Sequence, residues 1–187
     1  MSTPRLKDMI AEKILNNRKV FLWGQVDDNS AKHVIERLLY LELRYPGKEI
    51  QLIINSPGGY VTSGFAIYDT IKTITSPVST VCSGLAASMA SILLSAGAKG
   101  RRFVLKHGRV MIHQPSGGTG GNSSDIEIQA TELLKTKELS SQLLAENCGQ
   151  PFEKIIKDFN PDHFMNAEES IDYGIADAVL ERLVELN

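Results

Sequence analysis

The sequence predicts an α/β fold built on a largely parallel sheet. Short apolar runs alternate with segments of helical period along most of the chain. Glycine- and proline-bearing turns follow those runs, where right-handed strand-to-helix crossovers place them. Of 187 residues, 42% are hydrophobic and 22% charged, an ordinary globular balance with enough length for one domain and a real core.

Leu6, Met9, Ile10, Ile14 and Leu15 recur at helical spacing, so residues 5–16 form an amphipathic helix. Val20 to Trp23 is a short strand ending at Gly24. Ser30 can cap a helix running to about Tyr45, with Val34, Leu38, Leu41 and Tyr45 on one stripe and Pro46-Gly47 as its stop. Ile50 to Ile54 reads as a buried strand, and Asn55-Ser-Pro-Gly-Gly59 as a turn. Helical period returns over 62–75 through Phe65, Tyr68, Ile71 and Ile74. Val78 to Cys82 is a strand, Ala86 to Ala96 a helix of small and apolar residues, and strands follow near 103–105 and 110–112.

The pattern then changes. Ser116 to Ser124 is rich in Gly and Ser. One long helix follows, about Asp125 to Asn147, opened by the capping box Ser124-x-x-Glu127 and closed near Gly149. Helices average ~11 residues. One twice that length cannot bury itself on a small sheet, so it is read as a projecting arm that meets another subunit. A helix at 151–158, a capping box at Asn166-x-x-Glu169 and a last strand from Ile175 to Leu180 complete the chain.

Composition excludes several function classes. A net charge of −2 gives no basic face for nucleic acid, and the short cluster Lys99, Arg101, Arg102 and Lys106 reads as solvated surface. The two cysteines, Cys82 and Cys148, have no CxxC spacing and read as reduced thiols. Met1 to Asn17 lacks the continuous apolar stretch of a secretory signal, and no run approaches the ~20 residues of a membrane span. A cytoplasmic protein is expected, with no membrane partner. There is no HExxH or paired CxxC for zinc, so no metal site is expected. Gly117-Gly-Thr-Gly-Gly121 lacks the Lys-Ser/Thr of a P-loop, so the chain has no visible means of using ATP.

Four segments could carry chemistry. Val78 to Ala90 runs as a strand through Gly84 into an Ala-rich helix, with Ser88 in its first turn. Free N–H groups at a helix start can receive an oxyanion while a serine there attacks a carbonyl. The same pattern also fits a packing or capping serine. Asn55-Ser-Pro-Gly-Gly59 is a second source of open backbone, at the carboxyl end of a strand where α/β crevices form. His113 follows the apolar strand Val110-Met-Ile112 into a loop, the one histidine of four so delivered. Asp162 lies in Asn160-Pro-Asp162, where a loop Asp after Pro is most often a turn former. The order Ser, His, Asp differs from those of chymotrypsin, subtilisin and α/β-hydrolases, so the residues permit a triad without requiring one.

Asn55-Ser-Pro-Gly-Gly59, Gly84-Leu-Ala-Ala-Ser88-Met, Met111-Ile-His113-Gln-Pro and Asp125-Ile-Glu-Ile together closely resemble the ClpP peptidase family. Gly24-Gln-Val, Ala96-Gly-Ala-Lys-Gly100 and Tyr173-Gly-Ile-Ala-Asp177 do so too, and the match runs in family order from about Val20 onward. The resemblance implies that Ser88 is the nucleophile, that His113 is the base which later protonates the leaving amine, and that Asp162 orients His113. It implies an oxyanion hole from the N–H groups of Gly59 and Met89. Gly58, Tyr60, Val61, Pro115, Ser116 and Gly117 would then line a bound peptide through backbone pairing. The implied fold is a crotonase-like β/α superhelix with a projecting handle helix, one peptidase domain over 1–187 with its handle region at about 114–147. The implied assembly is two stacked heptamers, a hollow tetradecamer fed with unfolded polypeptide by an AAA+ Clp unfoldase, which uses the ATP. No cofactor is expected in this subunit.

The chain departs from the family pattern at several places. Aromatic residues are common where it has Gln51 and Thr73, Arg where it has His163, Gly-Gln where it has Gly121-Asn122, and His at Gln129; its N-terminal gate segment is short. These departures motivate a second reading, a weakly active paralogous ring subunit acting as structural partner in a mixed Clp complex. A third, an acyl-CoA enzyme of the crotonase fold, has no use for a Ser88/His113 pair.

Overall fold

The computed structural model describes residues 5–118 and 120–183. Met1–Pro4 of the N-terminal segment, Thr119 in the glycine run and residues 184–187 lie outside the described residues. The elements run α1 (Leu6–Asn16), β1 (Lys19–Trp23), α2 (Asp28–Arg44), β2 (Ile50–Ser56), α3 (Val61–Thr73), β3 (Val78–Ala87) and α4 (Met89–Ser95). There follow β4 (Arg102–Leu105), β5 (Arg109–Ile112), α5 (Ser123–Cys148), α6 (Phe152–Asp158), β6 (His163–Met165), α7 (Ala167–Tyr173) and β7 (Ala178–Leu180).

The sheet has the order β1-β2-β3-β4-β7, parallel throughout. A branch leaves it at β3. The first half of β3, Thr80–Cys82, pairs with β4, and the second half, Leu85–Ala87, pairs with β5. Gly84, at φ +103°, lies between the two ladders. β5 in turn pairs antiparallel with β6, an exception to the expected parallel sheet and a strand the sequence reading lacked.

Alternation of side chains along each strand gives the sheet two apolar faces. Ile50, Leu52 and Ile54 of β2 join Leu38 and Leu41 of α2, Ile67 and Ile71 of α3 and Leu93 of α4 in the main core. Each such buried aliphatic side chain contributes about 1.5–3 kcal/mol. Ile53, Val81, Phe103 and Leu180 form a smaller cluster on the opposite face, flanked by Phe21, Leu105 and Leu183.

Several expectations are corrected. Asp27, not Ser30, caps α2: its carboxylate accepts from the Ser30 N–H at 2.7 Å, and Ser30 supplies the reciprocal hydroxyl. Tyr45 leaves the α2 stripe and is 49% exposed, because the helix ends at Arg44 and the chain turns extended. On α3 the expected stripe holds, with Tyr68 and Ile71 buried and Phe65 and Ile74 packed against the core, which Ile67 also joins. The box at α5 is Asn122 with Asp125, two residues earlier than Ser124 with Glu127, because Asn122 is already extended and its amide oxygen accepts from the Asp125 N–H at 3.0 Å. The box at α7 is the expected Asn166 with Glu169. β7 begins at Ala178, since the N–H groups of Ile175 and Ala176 turn back to the Ser170 carbonyl.

The long helix is where the sequence put it, spanning 26 residues. At 1.5 Å per residue it is ~39 Å long. Only Ser140, Ser141 and Leu144 are buried, so its root packs on α4 and α6 while its first four turns project.

Candidate active site

Ser88 is not in the first turn of a helix begun at Ala86. β3 continues through Ala87, held by its ladder to β5, and Ser88 is the residue between strand and helix. It has φ 55° and ψ −126°, a left-handed value that costs a non-glycine residue roughly 1–3 kcal/mol. A strained strand-to-helix corner of this kind lifts a hydroxyl clear of the backbone. The Ser88 N–H donates to the Met111 carbonyl at 2.9 Å, and the Ser88 carbonyl accepts from Ser91 Oγ at 2.6 Å, so both ends of the corner are fixed.

The Asn55–Gly59 turn lies directly against this corner. A Cβ on Gly58 would sit 2.6 Å from the Ala87 carbonyl oxygen, 2.7 Å from Ser88 Cβ and 2.9 Å from the Met89 nitrogen. Only glycine permits the approach. The turn is held from behind: the Val26 N–H donates to the Gly58 carbonyl and the Tyr60 N–H to the Val26 carbonyl, both at 2.8 Å. This parallel bridge leaves the intervening Gly59 N–H on the opposite side. Met89 is the first residue of α4, whose N–H has no acceptor within the helix. Asn55, quoted in the sequence motif without a role, ties its turn to β3: its side-chain oxygen accepts from the Leu85 N–H at 3.1 Å.

His113 is the first residue after β5, and Asp162 the last before β6. The antiparallel register pairs Ile112 with His163, which brings the two side chains together at one strand end. Ser88 Oγ lies 2.8 Å from His113 Nε2, and Asp162 Oδ1 lies 3.1 Å from His113 Nδ1. The carboxylate selects the tautomer with the proton on Nδ1, leaving Nε2 to accept from the serine hydroxyl. Asp162 is 57% exposed, so solvent screens its charge and its main effect on the imidazole is orientation.

The residues expected to line a peptide sit in two places. Gly58 is buried against Ser88, Tyr60 is exposed, and Val61 opens α3. Gly58 C=O and Tyr60 N–H are both taken by Val26, so they are not open for pairing. Pro115, Ser116 and Gly117 form an irregular segment after His113, half-buried at Pro115 and exposed beyond it. Neither cysteine competes as nucleophile: burial pushes the thiols of Cys82 and Cys148 up to about 12. Among the described residues no cluster of three His, Cys, Asp or Glu side chains could hold a metal, and no helix is long and apolar enough to cross a membrane.

Ser88, His113 and Asp162 thus stand in one hydrogen-bonded row at the strand ends of an α/β sheet, an order of groups in which a serine hydroxyl can be activated. The family model described as Clp protease matches residues 3–183 of the 187-residue chain. The chain belongs to the Clp protease family, and its mixed α/β architecture is that family's fold. Membership makes it a ClpP-type protein of a serine peptidase family whose members assemble with Clp unfoldases.

Proposed function

We propose that the protein is an active serine endopeptidase that cleaves unfolded polypeptides to short peptides. The row Ser88–His113–Asp162 carries this reading. Ser88 Oγ attacks the scissile carbonyl as its proton passes to His113 Nε2. The oxyanion so formed receives the N–H groups of Gly59 and Met89, which stand ready before charge develops. His113 then returns the proton to the leaving amine, and water repeats the sequence on the acyl-enzyme. Asp162 holds the imidazole ring in register throughout and stabilises its charged form. No metal or cofactor is assigned to this subunit.

The exposed length of α5 supports assembly into two stacked heptamers, with the site enclosed and an AAA+ Clp unfoldase supplying substrate. A peptidase that reads main chain needs such confinement, because it discriminates little between sequences. A cytoplasmic setting fits two free thiols, Cys82 buried and Cys148 half-buried.

The deciding experiment is a fluorophosphonate reaction followed by size-exclusion chromatography with mass detection. Label on Ser88 in a particle of roughly 290 kDa, fourteen chains of 20.6 kDa, is the expected result. Label without hydrolysis of a short fluorogenic peptide by the chain alone would shift the reading to a paralogous subunit that needs a partner. Absence of label would overturn both.

A further inference from the structure

The triad side chains leave one question of support open. His113 is 27% exposed and lies beyond the last ladder pair of β5, and its aspartate partner is more exposed still. A hydrogen bond to a solvent-exposed carboxylate orients the imidazole without fixing the main chain that carries it. A second restraint lies one residue on, at Gln114. Its N–H donates to the carbonyl of Phe159, a buried residue at the end of α6, three positions before Asp162. Its side-chain oxygen accepts from Lys137 Nζ at 3.0 Å. Lys137 stands on α5, one turn outward of the buried Ser140 and Ser141, and is half-buried. Among the described residues it has no carboxylate within ion-pair distance, so its ammonium is held on a neutral amide. Gln114 thereby joins three elements: the His113 loop, the segment leading to Asp162, and the projecting helix.

We propose that Lys137 is a positioning residue for His113, acting through the Gln114 side chain. The inference rests on the peptidase reading above. The Lys137–Gln114 bond fixes the peptide between His113 and Gln114, and with it the aim of Nε2 at Ser88 Oγ. Lys137 touches neither the hydroxyl nor the substrate. The bond requires α5 to keep its root in place, so the alignment of the base depends on how the arm is seated.

The test measures the second-order rate of fluorophosphonate acylation, with kcat and KM for a short peptide, in Lys137→Met, Gln114→Ala and the double variant. Acylation and kcat fall roughly tenfold in each single variant, below the ~100-fold that an ångström of misplacement costs. KM stays within about twofold, and the double variant is no slower than either single one, as two ends of one bond require. Lys137→Arg restores most of the rate. Wild-type rates in both single variants, or multiplicative losses in the double variant, would overturn the proposal. A loss in Lys137→Met that follows a lower melting temperature or a smaller particle, with Gln114→Ala unaffected, would overturn it in favour of a purely structural lysine. An unlabelled wild-type chain sinks the peptidase reading and this inference together, whereas a labelled wild type with unchanged variants sinks only the inference.

Discussion

The Ser88 N–H donates to the Met111 carbonyl at 2.9 Å. Ser88 and His113 therefore sit on adjoining main chains, and their separation is set before any side chain is placed. Met111 precedes His113 by two residues on the strand that pairs with β3. Side-chain substitutions in the triad should leave this frame standing.

Ser88→Gly separates the frame from the chemistry. It removes the nucleophile, so kcat for peptide hydrolysis falls by up to ~10⁶ if the three groups act as a unit. It also relieves the left-handed backbone at φ 55°, so the chain gains about 1 kcal/mol in chemical denaturation. An inactive variant that is less stable than wild type would contradict the strain argument.

Gly58 and Gly24 both have positive φ, yet they should respond differently to alanine. A Cβ at Gly58 meets the Ala87 carbonyl at 2.6 Å, whereas one at Gly24 meets nothing within 4 Å. Gly58→Ala is expected to cost roughly 3 kcal/mol through strain plus overlap and to abolish acylation of Ser88. Gly24→Ala costs only about 1 kcal/mol and leaves acylation intact. Denaturant midpoints and labelling rates of the two variants check this pair.

Arg102 and Asp177 form a bidentate pair that binds β4 to the segment before β7, with Arg102 5% exposed and also donating to the Asn147 carbonyl. Burial alone would raise the Asp177 pKa, but the Arg102 side-chain and backbone donors and its charge outweigh burial and hold it below the usual carboxylate value. A depressed folded pKa contributes stability that is fully present above the unfolded value near 4 and is lost as pH falls through the folded one. Asp177→Asn should lose roughly 3 kcal/mol at pH 7, because Arg102 stays buried without its partner. Its stability should then fall less steeply than wild type between pH 5 and pH 2. Parallel urea curves for the two proteins over that range would refute the assignment.

Gln51 is 5% exposed, and among the described residues neither its amide nitrogen nor its oxygen has a hydrogen-bond partner. It lies on the β2 face that carries Ile53. An unpaired buried amide costs about 1–3 kcal/mol, so Gln51→Leu or Gln51→Met should stabilise the chain by about 1–2 kcal/mol. Most substitutions of buried residues destabilise, so the sign alone is diagnostic. A loss of stability in both variants would mean that the amide is satisfied.

Periodicity and turn residues made most elements legible, because α2, α3 and α5 each show a long stripe or a strong stop. What escaped notice was set by tertiary contact. β6 is three residues, His163–Met165, too short for any period, and exists because β5 offers it an edge. β3 outruns the strand read over Val78 to Cys82, because its second half finds a new partner in β5 beyond Gly84, the joint between two ladders. The capping boxes slipped where two polar residues competed, as at Asn122 and Ser124. For the site, residue types marked Ser88, His113 and Asp162 as candidates. The left-handed corner at Ser88 and the strand pairing that gathers all three have no signature in sequence. Gln114 and Lys137, 23 residues apart, carried no signal linking them.

The long arm α5 leaves Ile126, Ile128, Leu134 and Leu139 between 42% and 67% exposed on the isolated chain. Apolar groups left bare in this way make a freshly made protomer adhesive toward other chains. Until such an arm is covered, a member of a protease family displays the same greasy surface that marks unfolded polypeptides. A protomer that has not yet joined the oligomer its family forms is thus open to being taken for refuse, so a surplus of orphan protomers should be short-lived.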